Sequence, residues 1–278
     1  MNKYLKKAFI ILAILFICMI TKFVYFNLNN NIDSNNIISL QKNITEKCTE
    51  YTTISLNDIT SFEWEKVYFF APYSSKKDIF KTIGFRCGGI TETTNEGMMQ
   101  IIFVNKNKMV CNIFGYQDTF AINSSQKVLL SSEKPRFIVT KIGKENDKIR
   151  LDWYDSNLVQ KSMSNKNIVS QNKVGVWKSE SKIRDKNNII EKSNEFIVSK
   201  EGIVVGFMIY NEFEKSTGNF INQYYNSYVG YLNDNDIKCK TEKDNQNFEL
   251  KFDRNKFDGN ISLSGNTSKL NGHYIFTK

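Results

Sequence analysis

Between residues 248 and 253 apolar and charged side chains alternate without a break: Phe248, Leu250 and Phe252 against Glu249, Lys251 and Asp253. A period of two marks a strand with one buried face. Ile203, Val205, Phe207 and Ile209 repeat that period against a mixed opposite face. Together with 174–181, 188–199, 219–232, 235–242, 258–264 and 270–277 they make eight strand-like runs, with almost nothing helical between them. Eight up-and-down strands close naturally into a barrel, which removes exposed edges. Residues 173–278 are therefore expected to form an all-β barrel domain.

Upstream the pattern changes. Lys66–Ala71 is a run of β-formers with apolar residues on both faces, as expected of a strand covered on both sides. Pro72 ends it. Ser75 and Asp78, three apart, form a capping box, in which hydroxyl and carboxylate satisfy orphan N–H groups. Ile79, Phe80 and Ile83 give the following helix one apolar face, and Gly84 supplies a left-handed stop. At 98–116 two apolar strands flank the sequence NKNK, a hairpin signal. Further strands are expected at 127–132, 136–143 and 148–153. One short helix on a mostly antiparallel sheet gives an α+β domain over 46–155. The polar stretch 156–172 reads as a linker, and the Asn-rich stretch 27–45, with no helical or strand period, as a spacer.

The first 26 residues read as a signal anchor. Lys3, Lys6 and Lys7 precede an apolar run from Ala8 to Ile20, and Phe23–Phe26 resume it beyond Lys22. A basic stretch followed by an apolar one is the layout of an export signal. No small-x-small cleavage site follows, and Cys18 lacks the small residue before it that lipidation needs. The expectation is an uncleaved transmembrane helix, basic end inside and the bulk of the chain extracytoplasmic at the cell membrane. The alternative is secretion after signal cleavage.

Two resemblances add to this. Residues 55–115 resemble a group of small exported Firmicutes proteins of unassigned activity, through SFEWEKVYFFAPYSSKKDIFKTIGF followed by MQIIFVNKNKMV. Trp64, Lys66, Pro72 and Tyr73 match that pattern, while Glu65 stands where Asp is more usual. The resemblance implies a fold and an extracytoplasmic address and no reaction. Gly175-Val176-Trp177 resembles the G-x-W that opens lipocalin-like barrels, with GHYIFTK as a closing strand. No Arg can be assigned to stack on that Trp.

Composition changes the picture in two places. Net charge is +9, but four lysines lie in the first 26 residues, which leaves 34 basic against 29 acidic side chains downstream. No long basic block occurs, so a nucleic-acid partner is not expected. Four cysteines lie outside the apolar run. Cys87 precedes the 98–116 hairpin and Cys111 lies in its second strand; they are the candidate disulfide, and buried or free thiols are the alternative.

Candidate chemistry is sparse. The single histidine, His273, falls in the last strand, so a Ser–His–Asp or Cys–His mechanism would have to use it. Glu63 and Glu65 share a strand face, which solvation explains as well as catalysis does. Asn233–Asp236 and Asp253–Asn255 are rich in oxygen ligands but lack the Gly and Glu of a calcium loop. No cofactor, metal site or catalytic residue is therefore assigned. The most suggestive feature is 220-FINQYYNSYVGY-231. With Trp177, the residues Phe220, Tyr224, Tyr225 and Tyr228 are candidates for the wall of a ligand cavity, the alternative being core packing.

These observations point to a non-enzymatic, membrane-anchored binding or accessory protein. Its barrel would hold a small apolar or amphiphilic ligand, or bind an envelope protein. A solid barrel would favour an inhibitor- or immunity-type protein-interaction module. An envelope hydrolase using paired carboxylates comes third.

Overall fold

The computed structural model describes residues 3–116, 120–142, 148–160, 169–184, 187–242 and 244–278. The elements run in the order α1 (Lys3–Lys47), β1 (Thr53–Ser55), α2 (Leu56–Ile59), β2 (Lys66–Phe70), α3 (Lys76–Ile83), β3 (Met99–Asn105) and β4 (Lys108–Gly115). They continue with β5 (Phe120–Asn123), β6 (Val128–Leu130), β7 (Arg136–Ile142), β8 (Lys148–Tyr154) and α4 (Ser156–Gln160). The barrel strands are β9 (Gly175–Arg184), β10 (Asn188–Val198), β11 (Ile203–Glu214), β12 (Phe220–Asn233), β13 (Asp236–Thr241), β14 (Asn247–Asp253), β15 (Lys256–Ile261) and β16 (Gly272–Phe276). Two compact units result, and neither is contiguous in sequence. The first takes Met1–Glu46, Asn57–Asp118 and Gln126–Glu133; the second takes Lys47–Leu56, Thr119–Ser125 and Lys134–Lys278. The expected block 46–155 is thus shared between them.

In the first unit an antiparallel sheet has the order β4-β3-β2-β6. Its double-sided apolar strands are covered on both faces. On one face Tyr68, Phe70, Ile102 and Val104 pack against Ile79 and Ile83 of α3. The backbone N–H of Asp78 donates to Ser75 Oγ at 3.1 Å, and the Ser75 hydroxyl donates to the Asp78 carboxylate at 2.6 Å. Gly84 closes the helix at φ 89°, a conformation that glycine adopts without strain. On the other face Phe103, fully buried, meets the rings of Phe62 and Trp64 edge-on at 5.4 and 5.6 Å.

Residues 27–45, expected as an irregular spacer, are helical and belong to α1. Leu40 and Ile44 are buried, and the Asn36 and Asn43 side chains donate to the backbone carbonyls of Val110 and Ile59. These four positions recur at helical spacing on one face, so asparagine completes a stripe that apolar residues alone leave incomplete. Among the described residues no helix is long and apolar enough to cross a membrane, so the expected N-terminal membrane helix is not supported. The apolar run is a short part of a 45-residue helix instead. Of the expected linker 156–172, Ser156–Gln160 is the short helix α4, and 161–168 lie outside the described residues.

The second unit holds a small sheet in the order β1-β7-β8-β5, with β5 parallel to β8, and an eight-stranded antiparallel sheet running from β9 to β16. The larger sheet curls into a nearly closed barrel. Its two edges meet where Lys178 and Thr277 exchange backbone hydrogen bonds of 2.9 and 3.0 Å. Three glycines allow the curl. A Cβ on Gly230 would lie 2.5 Å from the Lys238 carbonyl, and one on Gly259 would lie 2.7 Å from that of Glu249. At Gly206 it would lie 2.4 Å from the Tyr228 ring. The alternation read in β14 is observed: Phe248 and Leu250 are buried, and Glu249 and Lys251 are exposed.

Candidate functional site

Each candidate wall residue has a definite place. Trp177 is 1% exposed on the barrel floor, where its indole N–H donates to the Lys173 carbonyl at 2.9 Å. Its ring meets Phe257 at 4.8 Å; Phe257 meets Phe196 at 5.3 Å, and Phe196 meets Phe276 at 4.7 Å. Rings at such separations in mutual edge-on contact leave no ligand-sized space between them. The cation over the Trp177 ring is Lys278, 5.3 Å from the centroid. The stacking cation is thus a lysine and not the arginine that the lipocalin-like pattern implies.

Tyr228 is fully buried inside the barrel and donates its hydroxyl to Asn194 Oδ1 at 2.7 Å. Burial pushes its pKa well up, which keeps the phenol neutral and a donor. Tyr224 is half-buried against Tyr210, ring centroids 5.6 Å apart. Phe220 and Tyr225 are exposed, at 58% and 52%. The structure therefore separates the five residues: Trp177, Tyr228 and Tyr224 serve barrel packing, while Phe220 and Tyr225 do not line an interior wall.

The Cys87–Cys111 disulfide is not formed. Cys87 packs on the α3 face with the Tyr68–Ile79 cluster. Cys111 stands opposite Phe103 in the β3–β4 pair and so shares the other face of the sheet. The sheet itself keeps the two thiols apart.

The remaining polar candidates have structural partners. Glu63 accepts from the Asn105 side chain and Glu65 from the Lys106 backbone N–H, which ties both to the β3–β4 turn. The Asn233–Asp236 and Asp253–Asn255 stretches are hairpin turns, with Asp234, Arg254 and Asn255 at φ of 51°, 46° and 65°. Exposed His273 bonds Asp258 at 2.6 Å, which holds that carboxyl below the usual carboxylate range. Among the described residues no cluster of three metal-ligating side chains forms.

What the structure does assemble is a groove of about 220 Å³ in the second unit, between the outer wall of the barrel and the small sheet. Phe207 and Tyr225, cross-strand neighbours on β11 and β12, stack at 6.4 Å and form one side. Asn123, Arg150 and Asp152 come from β5 and β8, and Glu242 follows β13. Arg150 donates to Asp152 at 2.7 Å and to Glu195 at 3.1 Å, and Lys178 reaches the other oxygen of Glu195 at 3.0 Å. Burial alone would lower the Arg150 pKa, but the two carboxylates more than offset it, and the net shift is upward. Asp152 and Glu195 are thereby compensated.

Glu242 accepts the Ser227 hydroxyl at 2.5 Å and forms no ion pair among the described residues. The Tyr225 phenol pKa is raised, first by partial desolvation where the hydroxyl enters the groove and then by the carboxylates of Glu242 and Asp152. A half-buried Phe207 and an exposed Tyr225 beside an uncompensated carboxylate attract a cation through both the ring quadrupole and the charge. No family model, no curated protein and no solved structure matches this chain.

Sequence reasoning weighed Tyr225 for the interior. It missed Phe207, Arg150, Asp152 and Glu242 as its neighbours, since these come from β11, β8 and the turn after β13, far apart in sequence. The available signal was parity: Tyr225 is out of step with Tyr224 and Tyr228 along one strand and therefore faces the other way.

Proposed function

We propose that this protein is a membrane-anchored, extracytoplasmic binding protein without a catalytic role. It recognises another protein through the outer face of its barrel. The groove at Tyr225 receives a Lys or Arg side chain of the partner. The observation that carries this reading is the pairing of an aromatic-filled interior with an exposed, anionic aromatic groove. Size supports it as well: ligand pockets run from about 300 Å³ upward, and a groove of about 220 Å³ suits one side chain rather than a whole ligand. The anchor is supported by Leu12, Ile14, Leu15, Phe16, Ile17, Met19 and Ile20, all 44% exposed or more. A patch of that kind calls for lipid or a partner, and the lysines ahead of it set the orientation.

A photo-crosslinking residue placed at 225 in cells tests the proposal, with position 275 as the control. A discrete envelope-protein adduct at 225 that is lost with Glu242→Gln and absent at 275 is the expected result. Adducts of equal yield at both positions, or an adduct indifferent to Glu242→Gln, would overturn it.

A further inference from the structure

The first unit carries a second groove, unrelated to the barrel. It has a volume of about 740 Å³ and follows α3, with Phe80 and Phe85 as its apolar floor. Lys76, Lys77, Lys81 and Arg86 form its rim, against one carboxylate, Glu92. Glu92 is already engaged, accepting the backbone N–H of Lys76 at 3.0 Å. All four cations are exposed, and none forms an ion pair with a described carboxylate. The Lys76 ammonium lies over the Phe80 ring at 5.8 Å.

This arrangement costs the helix stability. Lys76 and Lys77 occupy the first turn, directly after the Ser75 cap, where the helix dipole disfavours positive charge. Lys77 and Lys81 stand four apart and repel across one face of the helix. An anion laid along the groove would reverse the sign of both. The rim matches phosphate groups in charge.

We infer that the α3 groove binds anionic phospholipid headgroups and lays the first unit on a membrane surface. Each cation held near an anionic surface contributes about 1 kcal/mol. The effect adds to whatever α1 and its lysines contribute and is separable from it, because substitutions on α3 leave α1 unchanged.

The test is co-sedimentation of the full chain with vesicles of phosphatidylcholine alone and of phosphatidylcholine mixed with phosphatidylglycerol. The expected result is tighter binding to the mixed vesicles, reduced roughly 30-fold by Lys77→Gln with Lys81→Gln. Binding to the neutral vesicles stays unchanged. The double variant Lys141→Gln with Lys200→Gln removes the same charge elsewhere and is expected to keep the preference. Equal losses from the two double variants, or no preference between vesicle types, overturns the inference. So does soluble poly(glycerol phosphate) displacing the protein from mixed vesicles at matched phosphate, which would assign the groove to a wall polymer.

Discussion

The two sheets at the centres of the two units handle burial in opposite ways. The sheet of β2 and β3 is covered by separate elements on both faces, so its strands read as continuous apolar runs. The barrel covers one face of each strand with the rest of the same sheet, so its strands alternate. The number of covered faces is thus written into the hydrophobic period. The comparison also explains the strand that fits neither pattern. β12 is apolar on both faces over its second half, because Val229 and Tyr231 pack outside the barrel with Tyr154 and with Leu158 and Val159 of α4. Its first half is bare outside, and there Tyr225 faces the groove.

The sharpest way to break the comparison is to empty the barrel. Trp177→Ala removes the ring that Phe252 and Phe257 pack upon and is expected to lower unfolding free energy by about 3–5 kcal/mol. Urea unfolding measures it, and a loss below about 1 kcal/mol would mean the floor is not packed as described. Next in size is Gly206→Ala. The added methyl would press on Tyr228 and Phe196, and overpacking of this kind costs about 1–3 kcal/mol. An unchanged midpoint would show the barrel wall to be compliant.

In the first unit, where a helix supplies the cover, Ser75→Ala removes the cap of α3 and is expected to cost about 1 kcal/mol. Hydrogen exchange at Lys77 and Asp78 reads that change locally. The smallest effect is kinetic. Burial pushes the Cys48 thiol up to about 11 and that of buried Cys239 well above its ordinary value. Both are expected to resist alkylation in the folded protein and to react once it is unfolded in urea, because the thiolate is the reactive form. Mass spectrometry of a timed iodoacetamide reaction with and without urea would show the difference.

Much of this was legible in the sequence, for local reasons. The Ser75–Asp78 cap, the Gly84 stop, the 98–116 hairpin and the eight barrel strands all rest on contacts between near neighbours. The turn at Lys106–Asn107, with φ of 46° and 59°, is what NKNK between two strands implies. The misses are non-local or too short. β1 and β5, of three and four residues, carry no measurable period, and β5 pairs in parallel with β8 across 29 positions. That pairing draws strands from the expected first domain into the second unit. The helical stripe at Asn36, Leu40, Asn43 and Ile44 was hidden because half of it is asparagine. The groove was hidden for a related reason: Arg150, Phe207, Tyr225 and Glu242 form a site only once two sheets have been laid together.

The central claim is that the barrel interior is packed and recognition lies outside. An assigned spectrum of the protein, titrated once with arginine methyl ester and once with laurate, tests it most directly. The account predicts that the arginine ester shifts Tyr225, Phe207 and Ser227, and that the Trp177 indole N–H and Tyr228 stay fixed with either ligand. Saturable movement of Trp177 and Tyr228 on adding laurate, with Tyr225 unmoved by the ester, would contradict it and return the barrel interior as the binding site.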